Sequence, residues 1–542
     1  MSKRWTSWIA IGLVLSMAFL AACGSDAGKG ASDEQVLTAG MVVSEPPNLD
    51  PAKTEDSQSG LIARHVMEGL ANMDKEGEPT PGIAEKWDVS KDGKKITFHL
   101  RDAKWSNGDP VTAGDFEYAW KRVLNPDTGS TYAYQLFYLK NGEKYNKGKA
   151  KADEVGVKAV DDKTLEVELE KPTPYFISLT SFYTLMPVNK KVVEKNKKWA
   201  ANADTFVNNG AFNLAEWKHD SKIVLKKNKD YWNADKVKLA QINLPFIGED
   251  KTGYQMFKAG EIDYGDKTII PADMMGDLIK KGEVKSVPEL ASYAYEFNVK
   301  EKPFTNEKIR KAFAMAMDRK SIVENVAQGG QLPANGWVPR GMPDFAAEKD
   351  WVQAHDTYLK PTAQAEEAKK LLKEGMKEEG WDKLPPVTID YNTDEGHKKI
   401  AEAIQQMWKK NLNVNVKLRN SEWKVYLEKK HTGDFQVARF GWLPDYVDPM
   451  TFLDMYTTDS GQNDPSYSNK KYDALIKKAK STADQKVRME ALHKAEKILM
   501  EDMPIAPIYS YTHNTMQKEN VKNVIYKKDG HTDFRFAYLT EE

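Results

Sequence analysis

The chain has 542 residues, and its 79 Lys and Arg against 80 Asp and Glu give a formal net charge of -1, so no basic surplus points to nucleic acid as a partner. At roughly 100–200 residues per domain, this length makes several domains, and 40% hydrophobic residues with 10% aromatics are enough to fill real cores. The single cysteine, Cys23, excludes an intrachain disulfide framework, an iron–sulfur cluster and any zinc site built on several thiolates.

Lys3 and Arg4 precede an apolar run from Trp8 to Leu20. The run is shorter than the ~18 or more apolar residues of a spanning helix, which predicts a signal peptide over 1–22. It ends in Leu20-Ala21-Ala22-Cys23-Gly24, and small residues directly before a cysteine resemble the lipobox of bacterial lipoproteins. That resemblance implies cleavage before Cys23, acylation of its sulfur, and a body held on the extracytoplasmic face of the cell membrane. Two or three acyl chains anchor a protein where one chain binds only marginally. An ordinary signal peptide with an incidental cysteine is the other reading of the same stretch. The polar, glycine-rich residues that follow predict a flexible tether over 23–32.

From Val36 the chain alternates strand-like and helical stretches, which makes the class mixed α/β. Val36 to Val42 reads as the first strand. Ile96 to Leu100 and Leu165 to Leu169 alternate with period two, and Asn107-Gly108-Asp109-Pro110 is turn chemistry, so a β-rich insertion is expected over about 73–186. Farther on, Val387-Thr388-Ile389 reads as a strand, Ile400, Ile404, Met407 and Trp408 share one face of a helix, and Val414 to Leu418 alternates again. This is a βαβ unit, whose crossover favours a parallel sheet. Ser421 is expected to cap a short helix that brings Trp423, Leu427 and Lys430 near one face, with Phe435 to Trp442 as the next strand. Open α/β sheets bind ligands beyond the carboxyl ends of their strands, which puts Asp445, in the loop Leu443 to Pro449, where a ligand is met.

Local catalytic signatures are missing. The nine histidines never stand at the i, i+4 spacing of a helical metal pair, and there is no G-x-S-x-G elbow, no Walker A loop and no G-x-G-x-x-G after a strand. Neither a metal nor a cofactor is expected. Two carboxylates far apart in sequence leave no local signature, so a membrane-anchored glycosidase-like hydrolase stands as the enzyme alternative. Fourteen tryptophans and 23 tyrosines instead suit a binding protein, although most are expected in the core.

A series of landmarks carries a wider resemblance. Glu45-Pro46-Pro47-Asn48-Leu49-Asp50-Pro51 is followed by Glu68-Gly69-Leu70 and Pro81-Gly82-Ile83-Ala84-Glu85-Lys86-Trp87. Then come Thr97 to Arg101, Lys104 to Ala113, Asn209-Gly210-Ala211-Phe212, Gly260-Glu261-Ile262-Asp263, and Phe440-Gly441-Trp442 leading into Asp445-Tyr446. In this order and spacing the chain resembles the oligopeptide-binding proteins that serve ATP-binding cassette peptide permeases, within family 5 of the extracellular solute-binding proteins. The resemblance implies a two-lobed, periplasmic-binding-protein-like α/β fold with a hinge. Residues 33–72, 187–290 and 514–542 would form lobe I, 73–186 an inserted β-rich domain, and 291–513 lobe II. It further implies a monomer that closes on short peptides and hands them to membrane permease subunits carried on other chains.

The site that the resemblance implies uses what peptides share, an extended backbone and two charged ends. Asp445 pairs with the α-ammonium group, Gly441 lets the ligand backbone approach as an added strand, and Tyr132 reaches that backbone from the insertion. Trp423 and Trp442 wall the side chains. Arg439, His397 and Lys430 serve the carboxylate end, Lys430 standing where the pattern has arginine. Ser57 lies on the lobe I segment facing the ligand. Leu443 and Ala291 occupy places that some relatives join by a disulfide, so loop order is expected to come from packing alone. A dipeptide-preferring receptor of the same family is the alternative closest to this one.

Overall fold

In a computed structural model the chain is described over residues 35–354 and 357–541. The signal-peptide, Cys23 and tether expectations lie outside these residues. Two strands of 13 residues, Lys285–Phe297 and Ile505–Gln517, run antiparallel in the middle of the largest sheet. At ~3.3 Å per residue each spans about 40 Å, enough to serve two halves of a molecule. On one side Lys285–Phe297 pairs with Val437–Trp442, which leads to Val387–Asn392 and Val416–Ser421. On the other, the far end of Ile505–Gln517 pairs with Tyr264–Gly265, followed by Val36–Gly40, Gln241–Pro245, Lys222–Lys227 and Phe212–Lys218. The ladder between the long strands is interrupted between Pro288 and Ser292, where proline has no N–H to donate. Two lobes thus share one pair of strands, and the expected boundaries at 290/291 and 513/514 fall inside those strands.

The βαβ unit is as read. Val387–Asn392 and Val416–Ser421 are parallel, joined by the helix Glu395–Leu412, whose Ile400, Ile404 and Trp408 are buried. Asp394 caps that helix by accepting from the His397 backbone N–H at 2.8 Å. Its strand starts at Val416 rather than Val414 because Asn413 ends the helix in the left-handed region, φ 59°.

Ser421 does not cap the next helix. It pairs with Asn392 in the parallel ladder, so its backbone is committed to the strand, and Glu422 holds the cap position of Trp423–Thr432. The following strand is Val437–Trp442, two residues shorter than expected, because Phe435 turns into a small apolar cluster with Tyr426 and Ala438.

A separate four-stranded antiparallel sheet lies between residues 84 and 168, in the order Ala84–Val89, Lys95–Leu100, Thr164–Glu168, Val157–Asp161. The helix Ala113–Leu124 packs on its last two strands. Buried Trp105 and Trp120 fix this helix, their indole N–H groups donating to Asp115 Oδ2 at 3.1 Å and to the Leu185 carbonyl at 2.8 Å. In the Asn107 to Pro110 turn, Gly108 takes φ +88°, a conformation that suits glycine. Among the described residues no helix is long and apolar enough to cross a membrane.

Candidate functional site

A cavity of about 240 Å³ opens at the carboxyl end of Val437–Trp442. Ser57, Tyr132, Trp423, Lys430, Arg439, Gly441, Trp442 and Asp445 all line it. Trp423, Leu427 and Lys430 reach it from one side of their helix, as the sequence suggests. Ser57, the first residue of the helix Ser57–Val66, faces it from the opposite lobe. His397 is elsewhere, in an adjoining cavity of about 90 Å³. Lys267, Tyr511, Thr512 and Asn514 stand on the boundary between the two.

Asp445 is buried, 5% exposed, and is not a surface turn residue. Its Oδ2 accepts from Gln135 Nε2 at 2.6 Å, and its backbone N–H donates to Thr451 Oγ1 at 3.1 Å. No cation stands within 4.0 Å of it among the described residues. Burial, helped by the charge of Asp454, pushes its carboxyl well above the usual carboxylate range, while Arg64 and the side chains of Thr451 and Gln135 pull the other way. The loop carrying Asp445 is held by more than apolar packing. Arg488 makes a two-pronged bond to Asp448, at 2.5 and 2.7 Å, and Tyr446 stacks on Tyr175 with ring centroids 4.9 Å apart. A buried ion pair thus does the ordering expected of packing alone.

The aromatic walls are mutual. Tyr132 stacks on Trp442 at 6.1 Å and meets Phe182 and Tyr183 edge-on at 5.0 and 5.9 Å. Trp423 stacks on Tyr426 at 6.0 Å, and the Tyr426 hydroxyl donates to the Arg439 carbonyl. Gly441 has a reason of its own. A Cβ there would lie 2.7 Å from the Tyr511 hydroxyl and 3.1 Å from Arg439 Nη2, so the missing side chain makes room for these protein groups.

The three cations expected at the carboxylate end differ sharply. Lys430 is buried and its charge is matched within the protein, by Glu296 at 2.8 Å and Asp464 at 3.0 Å. It lines the cavity with its ammonium held by these two carboxylates rather than free. Burial and the neighbouring Arg439 hold His397 well below its ordinary range, so it stands as a neutral ring 3.3 Å from the Tyr293 hydroxyl. Arg439 is 8% exposed, donates to the Tyr511 hydroxyl at 2.8 Å and has no carboxylate within 4.0 Å among the described residues.

Several residues at or behind the cavity carried no local signal. Lys267 lines it from the turn Lys267–Ile269 and Tyr511 from a long strand, while Gln135, on the short helix Ala133–Leu136, supports Asp445 from behind. His431, one residue after Lys430, bridges Glu55 at 3.1 Å and Asp464 at 2.8 Å at the cavity wall. Only the pairing of residues far apart in the chain marks them, and no single stretch contains it.

A two-lobed α/β fold with an aromatic-walled cleft and an unpaired buried acid defines a solute-binding protein. The comparison with known sequences makes this specific: the chain belongs to the bacterial extracellular solute-binding proteins of family 5, whose "Middle" region matches residues 78–464. The oligopeptide-binding protein OppA of Bacillus subtilis (strain 168) is 45% identical over 552 residues, covering 99% of this chain and 100% of its own. The dipeptide-binding protein DppE of the same strain is 44% identical over 544 residues, covering 99% and 98%. Among solved structures, Listeria monocytogenes OppA bound to peptide is 37% identical with a TM-score of 0.88, covering 94% of this chain and 100% of its own. The unliganded open form of the periplasmic murein tripeptide-binding protein MppA is 35% identical, covering 94% and 98%, but its TM-score is only 0.62. The lobes here therefore stand as in the peptide-bound relative rather than as in the open one.

Proposed function

We propose that this protein is a receptor that captures short peptides between its closing lobes and delivers them to the membrane permease of an ATP-binding cassette importer. The observation that carries this is Asp445, an enclosed carboxyl that accepts from the Gln135 amide and has no cation within 4.0 Å among the described residues. An ammonium group entering the cleft supplies the missing cation, and every unblocked peptide brings one. The names of the relatives support the reading: OppA of B. subtilis is called oligopeptide-binding, and the Listeria structure holds a peptide. The likeness to DppE, called dipeptide-binding, favours a second reading of the same site in which two-residue ligands are preferred. A family of receptors rather than enzymes speaks against the hydrolase. In this account the protein works as a monomer, anchored through lipid on Cys23 to the outer face of the cell membrane. Mass spectrometry of small molecules released by denaturing the purified protein tests the function. Intact peptides of several residues are expected; dipeptides alone would select the second reading, and a non-peptide ligand would end both.

A further inference from the structure

A second carboxylate without a counter-ion opens into the cavity. Glu289 sits in the interruption of the central ladder between Pro288 and Ser292, and it lines the cleft together with Leu443 and Gly530. A Cβ at Gly530, where φ is +84°, would lie 3.1 Å from Glu289 Oε1 and 2.9 Å from Leu443 Cδ2, so the glycine keeps room beside both. No cation stands within 4.0 Å of Glu289 among the described residues. Burial pushes its carboxyl up to about 7, against the pull of Lys267 and the Tyr526 hydroxyl, and Asp266 adds to the rise. One lysine therefore faces two carboxylates. The two histidines on the same wall add no charge: burial and nearby cations hold His513 down at about 4 and His531 below its ordinary range. Asn514, 4% exposed and also on the cavity wall, has no hydrogen-bond partner for its Oδ1 among the described residues. This part of the cleft thus offers acceptors and negative charge beside the apolar face of Leu443, which is complementary to an aliphatic stem ending in a cation.

We propose that Glu289 is a specificity-determining residue that receives the charged head of a lysine or arginine side chain on the bound peptide, with the stem of that side chain lying along Leu443. This rests on the peptide-receptor reading and deepens it. Asp445 answers the charge that every unblocked peptide carries, whereas Glu289 answers one that only some peptides carry. An ammonium brings three donors and a guanidinium five, more than one carboxylate oxygen can use, and the Asn514 oxygen is a further acceptor on the same wall. The selection is by side chain, so it acts on top of the sequence-independent grip on the ligand backbone.

Titration calorimetry on the full-length protein at pH 8, where the Glu289 carboxyl is ionised, tests this with three pairs of peptides. Each pair is Ala-Ala-Ala carrying either lysine or norleucine at the first, second or third position; norleucine keeps the stem and lacks the charge. At one position or more the wild type is expected to bind the lysyl peptide about tenfold or more tighter than its norleucyl partner. Glu289→Gln, which keeps the shape and removes the charge, should bring that ratio to about one by weakening the lysyl peptide. The position that shows the preference assigns the residue of the ligand that Glu289 meets. A wild type indifferent to lysine at all three positions overturns the proposal, and so does a preference that survives in Glu289→Gln, whether or not the variant weakens both members of the pair. Failure of the wild type to bind any of the six peptides overturns the receptor reading itself.

Discussion

Gln135 donates a hydrogen bond to Asp445 at 2.6 Å across 310 positions of sequence. Because the donor is an amide, it orients the carboxyl without neutralising it. Burial therefore keeps the pKa of Asp445 raised until a cation arrives. Between the ordinary carboxylate range and that raised value, binding an ammonium group should expel a proton. Calorimetry at pH 5 in two buffers of different ionisation enthalpy should show proton release with a free peptide, and the release should vanish in Asp445→Asn. Equal release by wild type and variant would show that another group titrates.

Lys430 lines the cavity, but its replacement should be felt in stability rather than in the choice of ligand. Lys430→Met leaves Glu296 buried without its cation and Asp464 with His431 alone, a loss of about 3–5 kcal/mol in stability. Thermal unfolding should show a clear drop in Tm, while the ratio of affinities for free-acid and amidated peptides stays at the wild-type value. An unchanged Tm would mean that the pair of acids finds another partner.

His431 links Glu55 to Asp464, and these two carboxylates lift its imidazole to about 10 against a burial that alone would lower it. Lys430, bound to the same Asp464, is the other charge facing it. With the folded-state value above the unfolded one of about 6.5, the stabilisation is complete below pH 6.5 and is lost as pH rises toward 10. The Tm gap between wild type and His431→Asn should therefore be widest in acid and close over that window. A gap independent of pH would contradict the charge-based origin.

How much of this was written locally in the sequence follows from where the partners lie. The βαβ unit was legible because Ile400, Ile404 and Trp408 encode a buried helix face within a few turns, and the loop position of Asp445 followed from the strand before it. The two central strands were not, since burial on both faces and prolines at 288 and 507 blur the alternation. Ser421 carried a cap signal that the parallel ladder overrode. The landmarks Glu68 and Asn209 mark a structural joint. The Glu68 backbone N–H donates to Asn209 Oδ1 and Asn209 Nδ2 donates to the Glu68 carbonyl, each at 3.0 Å, and the Glu68 carboxylate accepts from the Tyr231 hydroxyl at 2.7 Å. Lys267 and Gln135 could not be read at all: the first lines a cavity assembled from segments hundreds of residues apart, and the second reaches Asp445 across 310 positions.

The most direct test of the central claim compares Ala-Ala-Ala with its N-acetyl form by calorimetry, on the wild type and on Asp445→Asn. The account predicts that acetylation weakens binding to the wild type by about 2–5 kcal/mol, the cost of leaving one partner of an enclosed charge pair unmatched. It also predicts that Asp445→Asn loses affinity mainly for the unblocked peptide, so that the two ligands become nearly equal. Equal losses for both peptides in the variant, or a wild type that does not distinguish them, would contradict it.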